Sequence, residues 1–233
     1  MHRVHPPGAQ RRTGAVTADD PGGSAIAEGL PPVLFEDRDI IAIDKPSGLA
    51  SVPGRGIDKL DSALARLMRS HPTALAVHRL DVATSGVLVF ALRRSAERSL
   101  RRQFVDRSVA KTYLARVAGR PAAEGSIDLP LAADPARAPL QHVSPSGKVA
   151  RTLWVLLEGG ETSSLVQLTP QTGRSHQLRV HLAAIGHPIL GDIWYAPTAI
   201  AEMSPRLLLH ASEITFLHPY SGRKVTIRSE GGF

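Results

Sequence analysis

An arginine and an aspartate stand two residues apart in "HRLDVATSG", His78 to Gly86, just ahead of the apolar run Val87 to Leu92. In an extended chain, residues of equal parity share a face, so Arg79 and Asp81 project together while His78 and Leu80 point the other way. A carboxylate presented to a cleft serves as nucleophile or general base, and a second arginine nearby holds it ionised. Alone, an aspartate in this setting is more often a turn former, accepting hydrogens from the N–H groups that follow it. Rival chemistries are poorly supplied. The chain has no cysteine, which removes disulfides, thiolate zinc sites and cysteine nucleophiles. It has no GxxxxGK[ST] loop, and Gly54 and Gly56 lack the rest of a dinucleotide fingerprint. His176 and His181 are five apart, about 140° around a helix, and do not reproduce the zinc spacing of HExxH. The expectation is chemistry without metal or cofactor.

The elements that must position these side chains can be read from period and punctuation. Residues 1–32 are rich in Pro, Gly, Ala and Ser without apolar periodicity, and read as an unstructured tail. "VLFEDRDIIAI" reads as two short strands around an acidic turn, and "DKPSGLASVPGRG" as a loop. Ser62 to Arg69 is a short helix stopped before Pro72. Val87 to Leu92 has the continuous apolar character of a strand covered on both faces. Ser95 is placed to cap a helix whose stripe is Ala96, Leu100 and Phe104.

From Lys111 the period becomes two, which sets Tyr113, Ala115 and Val117 on one side of a strand. "GKVARTLWVLLE" and "TSSLVQLTP" then pair through Gly159 and Gly160. Leu178, Leu182 and Ile185 repeat at helical spacing, with Ser175 as cap, Gly186 as the left-handed stop and Pro188 beyond it. That puts Arg174 just before a helix N-terminus. "RLLLHASEITF" and "KVTIRS" add late strands, so the pattern is α+β rather than a regular βαβ alternation.

The formal net charge of +7 is concentrated. Residues 93–120 carry nine Lys/Arg against two Asp/Glu, and the remaining stretches cancel. Arg94, Arg98, Arg101 and Arg102 fall away from the apolar stripe, so the surplus lies on one helix face. Such a block suits a polyanion, or a merely solvated surface. No apolar run approaches the ~20 residues of a membrane span, and the N-terminus lacks the apolar centre of a secretory signal, so a cytoplasmic protein is expected.

Taken in order, "DKPSGL" at 44–49, "HRLDVATSG" at 78–86, "KTYLA" at 111–115, "GRSHQLRVHLAAIGHPILGD" at 173–192, "RLLLHA" at 206–211 and "HP" at 218–219 resemble the successive motifs of the RluA-type pseudouridine synthases. The likeness covers about residues 33–228. It implies one catalytic domain, 33–233, with a mixed, largely antiparallel central sheet, flanking helices and a catalytic cleft. It also implies a cofactor-free isomerisation of uridine in RNA. Asp81 takes the place of the essential aspartate, which either attacks the ribose or removes the C2′ proton. Tyr113 resembles the tyrosine that packs on the target base, Arg174 the arginine that ion-pairs with the aspartate, and Arg79 the arginine that enters the RNA stack. Arg98, Arg101 and Arg102 become candidate phosphate contacts. Thirty-two tail residues are too few for the S4-like RNA-binding domain of many relatives. "DLPLAADPARAPLQ" and "LGDIWYAP" further resemble the dual-specificity branch, which implies tRNA and large-subunit rRNA hairpins as partners of a monomer.

Overall fold

A computed structural model describes residues 29–54 and 60–233. Most of the expected tail, residues 1–28, therefore lies outside the described residues. The first two strands, β1 (Val33–Glu36) and β2 (Ile40–Lys45), form the expected antiparallel pair. Their turn is closed by Asp37, whose Oδ1 accepts from the N–H groups of Asp39 and Ile40. Helix α1 (Ala63–Leu67) begins at Ser62, whose hydroxyl accepts from Ala65 N–H. After the short β3 (Leu75–Ala76) comes β4 (Ser85–Ala91), buried along its whole length.

Helix α2 (Arg94–Val105) crosses to β5 (Ala110–Ala118), and then follow β6 (Glu124–Asp128), β7 (Leu131–Ala133) and β8 (Gln141–Val143). The hairpin β9 (Arg151–Gly159) and β10 (Ser163–Pro170) leads into α3 (Gln177–Ala184). Helix α4 (Thr198–Ala201), β11 (Leu209–Leu217) and β12 (Lys224–Arg228) close the chain.

Ten strands make one mixed sheet in the order β1-β2-β4-β11-β5-β10-β9-β6, with β3 on β4 and β12 on β11. Every pairing is antiparallel except β4 with β11. That parallel step depends on Gly86. Its φ is +111°, and a Cβ there would overlap the backbone of Ala211, its partner on β11. The glycine of "TSG" is therefore needed to bring β11 against the start of β4.

Alternation along β4 splits the core. Val87 and Val89 pack beneath Ala96 and Leu100 of α2, while Leu88 and Phe90 pack against Leu49 and Leu67 on the opposite face. A third cluster joins Leu178 and Leu182 of α3 to Val117, Val166 and Leu168. Two helix starts differ from the sequence reading. Helix α2 begins at Arg94 without a side-chain cap. Helix α3 begins at Gln177, with His176 before it in a left-handed conformation (φ 53°) and Ser175 not capping it. Among the described residues, no helix is long and apolar enough to cross a membrane.

Candidate active site

Between β3 and β4 the chain runs extended and then turns, Thr84 N–H bonding to the carbonyl of Asp81. Parity holds along this approach: Leu80 is buried, Arg79 is exposed, and Asp81 opens onto a cleft of about 300 Å³ that both charged residues line. His78 packs inward, stacked on Phe104 at 4.9 Å, and its Nε2 accepts from Val89 N–H. Burial, with help from the charge of Lys111, pushes its imidazolium down to about 3, so the ring is neutral.

The aspartate turn is clamped by the segment read from sequence as a plain loop. Lys45, fully buried, donates from Nζ to the carbonyls of Pro46, Leu49 and Val82 at 2.9, 2.7 and 3.0 Å. Ser47 donates to Ala83 O at 2.7 Å and Gly48 N–H to Val82 O at 2.8 Å. Ser51 both donates to Leu80 O and accepts from Leu80 N–H. "DKPSGL" is therefore the scaffold on which the Asp81 turn is fixed. Burial pushes the Lys45 ammonium down to about 7, against the pull of Asp81.

Three groups face the carboxylate. Tyr113 reaches the cleft from β5, in register with Ala211 and Leu168 of the neighbouring strands. Burial, reinforced by the charge of Asp81, raises its phenol well above the usual value and keeps it protonated. His176 holds its Nε2 4.0 Å from Asp81 Oδ1. Its Nδ1 lies 2.6 Å from the Tyr195 hydroxyl, whose oxygen accepts from Gln141 N–H at 2.9 Å. With Nδ1 held by Tyr195, the Nε2 edge of the ring is turned toward Asp81. Burial lowers the pKa of His176 although Asp81 pulls it up, so the neutral ring is the resting form.

The third group is Arg179, which sequence reasoning missed. It is 3% exposed yet bears a full charge, because Nε and Nη2 donate to the two oxygens of buried Asp192 at 2.8 and 2.6 Å. Its guanidinium lies over the rings of Trp194 and Tyr195 at 4.8 and 5.1 Å. Burial opposes the charge, but Asp192 outweighs it and Asp81 adds to the attraction, so the guanidinium is held above its ordinary pKa.

The expected ion pair between Arg174 and Asp81 is not formed. Gln177 ties back the turn before α3, accepting at Oε1 from Arg174 N–H and the Thr172 hydroxyl. Arg174 then sends its Nε to Val149 O at 3.0 Å, and among the described residues no carboxylate oxygen lies within 4.0 Å of its guanidinium. It lines the cleft but is not the cation that serves Asp81. Arg179, five residues later on the buried face of α3, also lies farther than 4.0 Å from the Asp81 oxygens, but its charge and that of Asp81 attract each other across the site.

On α2, Ala96 and Leu100 are buried as expected and the arginines face outward. Arg101 pairs with Glu97 at 3.0 Å and Arg102 with Asp106 at 3.4 Å, while Arg98 is exposed with no carboxylate partner among the described residues. The last turn of this helix borders the cleft through Phe104. Asp37, Asp39 and His218 gather donor atoms of the kind a metal ion takes, but the cluster is knit by its own bonds: His218 Nε2 lies 2.8 Å from Asp37 Oδ2 and joins the first hairpin to the turn after β11.

Comparison with known proteins adds four findings. Residues 39–184 match the family described as RNA pseudouridylate synthase. The sequence is 50% identical over 204 residues to the Dual-specificity RNA pseudouridine synthase RluA of Escherichia coli O6:H1, covering 86% of this chain and 93% of that one. The protein of the same name from Yersinia pestis is 49% identical over 204 residues, covering 86% and 99%. The solved structure of Human RNA Pseudouridylate Synthase Domain Containing 1 is similar with a TM-score of 0.73 at 31% identity, over 85% of this chain and 82% of that one.

Proposed function

This chain belongs to the RNA pseudouridylate synthase family, and from that premise we propose how its cleft isomerises uridine to pseudouridine in RNA. The reaction breaks the C1′–N1 bond, turns the uracil and rejoins it through C5, with the C5 proton lost and a proton gained at N1. Asp81 is the catalytic carboxylate, acting on the ribose by attack or by removing the C2′ proton. Around that carboxylate the chain sets the buried charge of Arg179 and the Nε2 edge of His176. Tyr113 offers its ring for stacking on the uracil and a neutral hydroxyl as hydrogen-bond partner, its burial arguing against a phenolate base. Arg79, exposed at the rim two residues before Asp81, fills the stack vacated by the flipped nucleotide.

The observation that carries this reading is the placement of Asp81: a carboxylate opening into a cleft, on a turn tied by hydrogen bonds to Lys45, Ser47, Gly48 and Ser51. The further bond from Lys45 Nζ to Leu49 O holds that scaffold itself in shape.

The substrates are a tRNA anticodon arm and a large-subunit rRNA hairpin, modified by a monomeric cytoplasmic enzyme. The dual-specificity relatives and the fit of the softer motifs support this. A deformable loop surrenders a base at lower cost than a paired stem, where extrusion takes a few kcal/mol. Purified protein should convert both isolated hairpins and not the same sequence clamped in a duplex. Conversion of one hairpin only would refute the dual specificity and leave the isomerase activity standing.

A further inference from the structure

Beside the catalytic cleft, and sharing Phe104, Lys111 and Arg174 with it, lies a second cavity of about 490 Å³. Three cations from separate parts of the chain line it. Arg107 stands in the turn after α2, at φ 56°; Lys111 is the second residue of β5; Arg174 precedes α3. No acidic residue lines this cavity, and among the described residues none of the three cations has a carboxylate within 4.0 Å. Lys111 makes no side-chain hydrogen bond among the described residues. Its Nζ lies 3.7 Å from the position a Gly173 Cβ would take, hence against the backbone that leads into Arg174. Among the described residues the Arg174 side chain is held through Nε alone, and its terminal nitrogens make no hydrogen bond.

We propose that this cavity is a phosphate subsite, in which Arg107, Lys111 and Arg174 bind one phosphodiester of the RNA strand next to the flipped uridine. This rests on the pseudouridine synthase reading. Three like charges converging without a counter-ion repel each other, and Lys111, whose pKa burial lowers, gains most from an anion. Phe104, Val109 and Pro170 form apolar walls that strengthen a charge pair there. Lys111 and Tyr113 share a strand face two residues apart, about 7 Å along β5. Base on the tyrosine and phosphate on the lysine is thus a separation one nucleotide spans. The subsite also gives Arg174 a role: it positions the strand while Arg179 serves Asp81.

The test is a coupling cycle on a hairpin, replacing each loop phosphate in turn with a neutral methylphosphonate and measuring binding to wild type, Lys111→Met, Arg174→Met and Lys111→Arg. At one linkage, neutralisation should weaken wild-type binding about tenfold and leave Lys111→Met and Arg174→Met unaffected, while Lys111→Arg behaves as wild type. The slope of log affinity against log salt should shrink by about 0.7 for each phosphate that is no longer neutralised. If every linkage affects Lys111→Met as it affects wild type, the subsite is wrong and the three cations act only as a diffuse field. Should Lys111→Met fold poorly, exposed Arg107 carries the same cycle as Arg107→Met. Conversion of the unmodified hairpin, measured in parallel, separates the readings: a wild-type protein that binds and converts it without any coupled linkage loses the subsite and keeps the activity. One that neither binds nor converts it loses both.

Discussion

Replacing Arg179 with methionine removes the guanidinium that donates to both oxygens of Asp192. Asp192 is fully buried, so its carboxylate is left inside with only the N–H groups of Trp194 and Tyr195, at 3.0 and 3.2 Å. Breaking a buried pair from one side costs about 3–5 kcal/mol. The seat over Trp194 and Tyr195 adds about 1 kcal/mol, and the two remaining donors offset a similar amount. With a urea slope of about 2 kcal/mol per molar, a loss of about 4 kcal/mol lowers the unfolding midpoint by about 2 M. Arg174→Met loses one hydrogen bond to Val149, about 0.5–1.5 kcal/mol, and its midpoint should fall by less than about 0.75 M. Unfolding followed by tryptophan fluorescence reads the first difference, and hairpin turnover without urea reads the second. Arg179→Met should be inactive where it is still folded, whereas Arg174→Met should keep kcat within about tenfold and raise KM. Equal midpoints would refute the cost assigned to breaking the Arg179–Asp192 pair, and an equal loss of kcat would show that Arg179 is not the cation serving Asp81.

Asp81→Asn should fold and bind hairpins as wild type does but show no turnover, because the amide is neither nucleophile nor base; activity within tenfold of wild type would remove Asp81 from the mechanism. Lys45 sheds its proton near 7 when folded but near 10.5 when unfolded. The unfolded chain thus binds more protons between those values, and this group makes stability rise with pH across that window. The difference between Lys45→Met and wild type in urea midpoint should therefore vary with pH from 7 to 10 and be flat below 7; a flat difference throughout would mean that the ammonium stays charged. Neutralising Arg98, Arg101 and Arg102 together should flatten the salt dependence of RNA binding by up to about 0.7 per phosphate contact, with Arg98 contributing most because no carboxylate shares its charge. An unchanged slope would make this face ordinary solvated surface.

Strand β4, the alternation of β5 and the stripe of α2 were legible in the sequence because each is a local pattern of burial. Arg179 was not. Within "HQLRVHL" it looks like one more polar residue on a helix, and its charge is tolerated inside only because Asp192, thirteen positions on, is folded back to it. The one available signal was the nearness of that "LGD" carboxylate. His176 escaped for a different reason: a left-handed backbone at a residue other than glycine leaves no mark in composition, and it displaced the predicted Ser175 cap. Lys45 was visible as part of a motif, but its task of holding a distant turn by three carbonyls could not be read from residue types alone.

The positive charge divides into two populations with different exposure. Arg179, beside Asp81, is buried and paired, whereas Arg79 and Arg98 are exposed without carboxylate partners among the described residues. Salt acts on them unequally, since at about 0.15 M the screening length is ~8 Å in solvent while buried pairs are hardly screened. Raising salt should therefore weaken hairpin capture steeply and leave the reactivity of the bound carboxylate nearly untouched. In single-turnover measurements at saturating protein, the rate should change by less than about twofold between about 50 and 200 mM salt, over which a protein with several phosphate contacts loses orders of magnitude in affinity. A single-turnover rate falling in step with affinity would mean that exposed cations, and not Arg179, supply the positive charge the reaction at Asp81 depends on.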